Sequence, residues 1–134
     1  MNFETRYAIT RRFQKTTMDA MRPRVVEALK AEGFGVLTEI DVKATMKAKL
    51  DIDREPYVIL GACNPKLANQ ALTSEAALGL LLPCNVVLAQ DGAEVVVSAA
   101  SPRAMFSVVE NAGAVGGVAD EAEARLRRAI ESLS

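Results

Sequence analysis

An α+β fold, with a single mainly antiparallel five-stranded sheet and two long helices on one of its faces, follows from three observations. Strand-like stretches crowd the middle of the chain, two stretches with helical spacing flank that block, and Asp91-Gly92 separates two apolar runs as a hairpin turn. The order is strand, long helix, four strands, long helix. Hairpins between the strands make the sheet antiparallel and bring both long helices to the same face.

The first strand is expected at Tyr7–Phe13, where Tyr7, Ile9 and Phe13 share a face that Arg11 interrupts. Thr16 or Thr17 caps the helix that follows, with Met18, Met21, Val25, Ala28 and Leu29 at helical spacing. Pro23 conflicts with that helix, because beyond the first turn it removes a backbone bond and introduces a kink. Gly33 closes the helix in the left-handed cap position. The second strand is Val36–Asp41, with Val36 and Ile40 on one face and Leu37, Glu39 and Asp41 on the other. Asp41 then caps a short charged helix through Leu50, and Pro56 forces extended backbone ahead of the third strand, Tyr57–Cys63.

Asn64-Pro65 opens a further helix to about Thr73, with Asn as cap and Pro at the first helical position. A helical turn from Ser74 ends at Gly79. Cys84–Gln90 and Glu94–Ala99 are the fourth and fifth strands, and Pro102–Glu110 holds a short helix. Asn111–Gly117 (NAGAVGG) reads as a flexible connector. The last helix covers Val118–Leu133, with Ala119, Ala122, Leu126, Ala129, Ile130 and Leu133 as its apolar stripe. Acidic residues come early in it and arginines late, as the helix dipole favours, and Glu121–Arg125 and Glu123–Arg127 form i,i+4 pairs.

Composition narrows the function classes. The 134 residues, read as one domain over 1–134, can bury a core without metal or disulfide staples. A net charge of −1 and the scarcity of aromatic residues argue against nucleic acid as a partner. Residues 1–15 lack the apolar stretch of a secretory leader, and no run approaches membrane-spanning length, so no membrane association and a cytoplasmic location with reduced thiols are expected. Histidine is absent, which removes Ser-His-Asp triads, Cys-His pairs and HExxH zinc sites together. No metal-ligand set stands out.

The third and fourth strands carry apolar residues on both faces: Val58, Ile59, Leu60 and Ala62, then Val86, Val87 and Leu88. A sheet covered on one side alternates apolar with polar, so the second face needs a cover as well. The inserts Asp41–Leu50 and Asn64–Leu82 are candidates for it, and so is a second copy of the chain.

Three segments, GFGVLTEIDVKATMKAKL (Gly33–Leu50), YVILGACNP (Tyr57–Pro65) and GLLLPCNVVL (Gly79–Leu88), resemble the domain-of-unknown-function family 302. The resemblance covers about Gly33 to Met105 well and the terminal helices in outline. It implies a TATA-binding-protein-like fold and a homodimer, and it brings no DNA-binding role, since function resides in sites and not in folds.

The candidate site is built on two Cys-Asn pairs, Cys63-Asn64 leaving the third strand and Cys84-Asn85 entering the fourth. Pairing Cys63 with Cys84 in an antiparallel ladder sets Ile59 opposite Leu88 and makes the thiols neighbours. Two buried core cysteines, a redox dithiol, a soft-metal site and a reactive nucleophile are all compatible with that placement. Asn64 serves as a helix cap or, through the same helix terminus, as part of an anion site. Asn85, of a type depleted in strands, satisfies backbone near Pro83 or meets a ligand. Glu39, Asp41, Lys43 and Lys47 form a charged cluster that reads as a cap plus solvated charges or as an acid–base site. Gly113–Gly117 lacks the GxGxxG spacing of a phosphate loop. These residues lead to a homodimer that binds a small ligand at Cys63, Asn64, Cys84 and Asn85. The alternative is a thiol redox or soft-metal-handling protein that uses the two cysteines.

Overall fold

The computed structural model describes residues 1–110 and 112–134. Along the chain run β1 (Ala8–Phe13), α1 (Met18–Ala31), β2 (Gly35–Asp41), α2 (Val42–Leu50), β3 (Tyr57–Cys63), α3 (Pro65–Ser74), β4 (Cys84–Asp91), β5 (Glu94–Ala100), α4 (Pro102–Met105) and α5 (Ala112–Glu131). Single 3-10 segments follow α3 (Ala76–Leu81) and α4 (Phe106–Val108).

Short polar side chains set the helix starts. Thr17, Asp41, Asn64 and Ser101 each accept a bond from a backbone N–H three residues on, at Ala20, Ala44, Leu67 and Ala104. Gly33, at φ +86°, ends α1: its N–H donates to the Lys30 carbonyl and that of Phe34 to the Leu29 carbonyl, a Schellman closure. Pro23 is accommodated within α1, which runs unbroken from Met18 to Ala31.

The five strands form one antiparallel sheet in the order β1-β5-β4-β3-β2. Its core lies on the helix side. Leu60, Ala62, Val86, Leu88, Val95, Val97 and Ala99 point there and meet Met21, Val25 and Leu29 of α1 and Leu126, Ala129 and Ile130 of α5. Arg11 keeps this inward parity between Ile9 and Phe13. Its guanidinium donates to the carbonyls of Ile130, Glu131 and Leu133 at the end of α5, 3.2 and 3.0 Å away for the first two, and lies over the Phe13 ring at 4.8 Å. A cation at a helix C-terminus is favoured by the dipole.

Three expectations are corrected. A bulge between Val36 and Thr38 makes Leu37 an extra residue in β2, so Val36 and Ile40 lie on opposite faces and Glu39 and Asp41 turn toward the helices. The segment read as a connector is helical from Ala112 on; Asn111 lies outside the described residues. Val115 and Ala119 are buried against Ala71, Leu78 and Phe106, and that burial outweighs the roughly 1 kcal/mol that each glycine costs a helix. Third, the Asn64–Leu82 insert packs on α5, in this same second cluster, and residues 1–7 border the other sheet face. Phe3 stacks on Tyr57 of β3, centroids 6.4 Å apart, and its carbonyl accepts from Thr10 of β1.

Candidate functional site

The register of β3 with β4 decides what the two Cys-Asn pairs can do. Cys84 faces Ala62, and Asn85 faces Gly61; Cys63 pairs outward with Gly35 of β2. The ladder is thus one residue away from the alignment expected from sequence, and the thiols are not cross-strand partners. Burial enforces the shift. Leu60 and Ala62 must share the helix side with Val86 and Leu88, and a one-residue slip would turn one of these sets outward. Gly61 has no room for a side chain, since a Cβ there would sit 2.2 Å from Thr38 Oγ1 and 2.9 Å from Pro83 Cγ.

Cys63, Asn64 and Cys84 border one cavity on the helix side, with Phe34, Leu67, Ala71 and Phe106. Its volume is about 30 Å³, the share of a single liquid water and too small for a metabolite. Both cysteines are free. Burial pushes the Cys84 thiol up to about 11, with Cys63 adding to the shift, so Cys84 stays protonated and a poor nucleophile at neutral pH. Asn64 spends its amide oxygen on the Leu67 N–H at 3.2 Å, as the cap of α3. Among the described residues, no three Cys, Asp or Glu side chains converge as metal ligands.

Asn85 belongs to the other face. Its side chain is exposed and borders a cavity of about 450 Å³ between the sheet and residues 1–7. Phe3, Tyr7, Tyr57 and Val87 supply apolar wall, and Arg54, Ser98 and Thr5 join Asn85 as polar groups. Ser98 is buried and lies 2.7 Å from Thr10. Thr10 gives its proton to the Phe3 carbonyl, so Ser98 donates to Thr10 and keeps its own lone pairs as acceptors. Thr5 Oγ1 is buried without a hydrogen-bond partner among the described residues. Buried hydroxyls are nearly always satisfied, so this orphan on a cavity wall calls for a water or another polar atom as its partner.

The sequence pointed to Asn85 and missed Arg54, Ser98 and Thr5. Ser98 had a signal, as the one hydroxyl within the run Val95–Ala99. Thr5 and Arg54 had none, because their place depends on how residues 1–7 cross the sheet.

The charged cluster does not assemble into a second site. Glu39 receives two bonds from Arg22 of α1, at 2.7 and 2.5 Å, which hold its carboxyl below the usual range. Asp41 caps α2, and Lys47 reaches Asp51 and Asp53 at 2.9 and 3.4 Å. Among the described residues no helix is long and apolar enough to cross a membrane.

The family profile described as Domain of unknown function DUF302 matches residues 9–133, and the chain belongs to that family. It is similar to the crystal structure of an uncharacterized conserved protein DUF302 from Bacillus stearothermophilus. The two share 28% identity at a TM-score of 0.88, over 97% of this chain and 100% of the other. No curated protein matches the chain.

Proposed function

We propose that this member of the DUF302 family is a homodimer that binds a small, planar, mainly apolar ligand with a hydrogen-bonding end, in the cavity beside Asn85. The observation that carries this reading is the cavity itself, about 450 Å³ with aromatic walls and polar groups converging from separate elements. That volume falls in the ordinary range for ligand sites, roughly 300–1,000 Å³. Phe3 and Tyr57 would hold the flat body, and Asn85, Ser98 and the orphan Thr5 hydroxyl its polar end. The cysteines have a packing role in this reading. The homodimer is supported by the family resemblance and by the exposed apolar residues Leu37 and Ile40 on the edge strand β2, with Leu50 and Ile52 after it.

A thermal-shift screen of small metabolites tests the binding claim. Compounds that raise the melting temperature of the native chain should lose that effect in Asn85→Leu, as expected when a ligand binds only the folded state. Stabilisation of both proteins alike would overturn the assignment. Light scattering should return twice the 14.4 kDa of the chain, and monomer mass at micromolar concentration would remove the homodimer.

A further inference from the structure

Glu123 lies on the buried side of α5 among Ala119, Ala122 and Leu126, yet it is a carboxylate with 1% of its surface exposed. An ionised group so placed is costly to desolvate and must be fully paired. It accepts from the Ser101 hydroxyl at 2.5 Å, from the Arg103 N–H at 3.2 Å, and from Arg127 Nε and Nη2 at 2.9 and 2.8 Å. Arg127 is therefore gripped along one edge, while the rest of its half-exposed guanidinium stays uncommitted. Arg103 is held in the same way, by Asp120 on its Nε at 2.7 Å. Both arginines line an open groove of about 560 Å³, together with Arg6, which has no ion pair among the described residues. Three arginines from three separate segments thus border one groove, two of them steadied by carboxylates. Leu81 and Met105 give this groove an apolar wall.

The structure assigns, we infer, a second binding site at Arg6, Arg103 and Arg127, for the phosphate group of a small phosphomonoester whose organic part lies against Leu81 and Met105. Planar guanidinium forks match the oxygens of a tetrahedral dianion and bond them in pairs. Tyr7 borders both this site and the Asn85 cavity, but none of the three arginines lines the latter. Glu123 acts here as a positioning residue through Arg127.

Calorimetric titration of the full chain with phenyl phosphate, and in parallel with inorganic phosphate at matched ionic strength, tests this. Phenyl phosphate should bind saturably, at least tenfold more weakly in Arg6→Ala and in Arg127→Gln, and unchanged in Asn85→Leu. Arg6 is exposed, so its replacement leaves the fold intact. Glu123→Gln should also weaken binding while the circular dichroism spectrum stays native, a loss that a purely structural role would not produce in folded protein. Inorganic phosphate binding as tightly as the ester would support the arginine cradle and make free phosphate its ligand. Absence of saturable binding by both probes, or binding that survives in both Arg6→Ala and Arg127→Gln, would overturn the assignment.

Discussion

The two Cys-Asn pairs look alike in sequence and end in two unlike regions. On the helix side, Cys63, Asn64 and Cys84 border a tight cavity of about 30 Å³, where Asn64 serves as a cap and burial keeps Cys84 protonated. On the opposite face, Asn85 borders about 450 Å³, beside a hydroxyl without a partner. The peptide bond between Cys84 and Asn85 separates the two environments, because adjacent residues of a strand point to opposite faces. A polar side chain at a strand start is thus informative only once its face is known. Packing density is the other lesson: the region that buries its side chains well has no space left for a ligand.

This contrast can be broken most severely in the core. Leu60→Ala, on the helix side with no exposed surface, should cost about 2–5 kcal/mol in denaturant unfolding, whereas Val87→Ala on the cavity face should cost clearly less. Equal losses would mean that the two faces are packed alike.

A second test titrates the thiol. The Cys84 pKa lies above its ordinary 9.0 because burial disfavours the thiolate, so the folded state holds the proton more tightly than the unfolded chain. Stability is complete below pH 9 and should fall by about 2–3 kcal/mol as pH rises toward 11, the value of a two-unit shift. Denaturation curves of Cys84→Ala should lack that slope. A fast-reacting Cys84 at pH 8 would show that the helix-side cavity opens.

These predictions also mark what was legible beforehand. Caps and turns were, because they rest on local chemistry: Thr17, Asp41 and Asn64 start helices, Gly33 ends one, and Asp91-Gly92 turns the hairpin. Apolar runs bounded by turn and cap residues placed all five strands. The β3–β4 register was not legible, since a long insert fixes no alignment as a tight turn does. Gly113–Gly117 misled because local propensity favoured a loop, and the contacts of Val115 and Ala119 with distant residues reversed it. Leu37 gave no sign of being an extra residue in its strand.

Surface positions sharpen the contrast with smaller effects. A double-mutant cycle on Arg22 and Glu39 should give a coupling of about 0.2–1 kcal/mol, as for solvent-exposed pairs, and it should shrink in high salt. Coupling of several kcal/mol would move Glu39 into the buried class and reopen its role. Asn85→Leu should change stability by no more than about 0.5 kcal/mol, because its side chain is exposed and bonds to no described residue.

Amide-shift mapping with a stabilising compound from the metabolite screen addresses the central claim most directly, namely that the ligand site lies on the Asn85 face and not at the thiols. Titration should move the resonances of Asn85, Val87, Tyr57 and Ser98 in a saturable way and leave Cys63, Leu67 and Ala71 in place. Shifts concentrated on Cys63, Leu67, Ala71 and Phe106, with Asn85 and Ser98 unmoved, would contradict it.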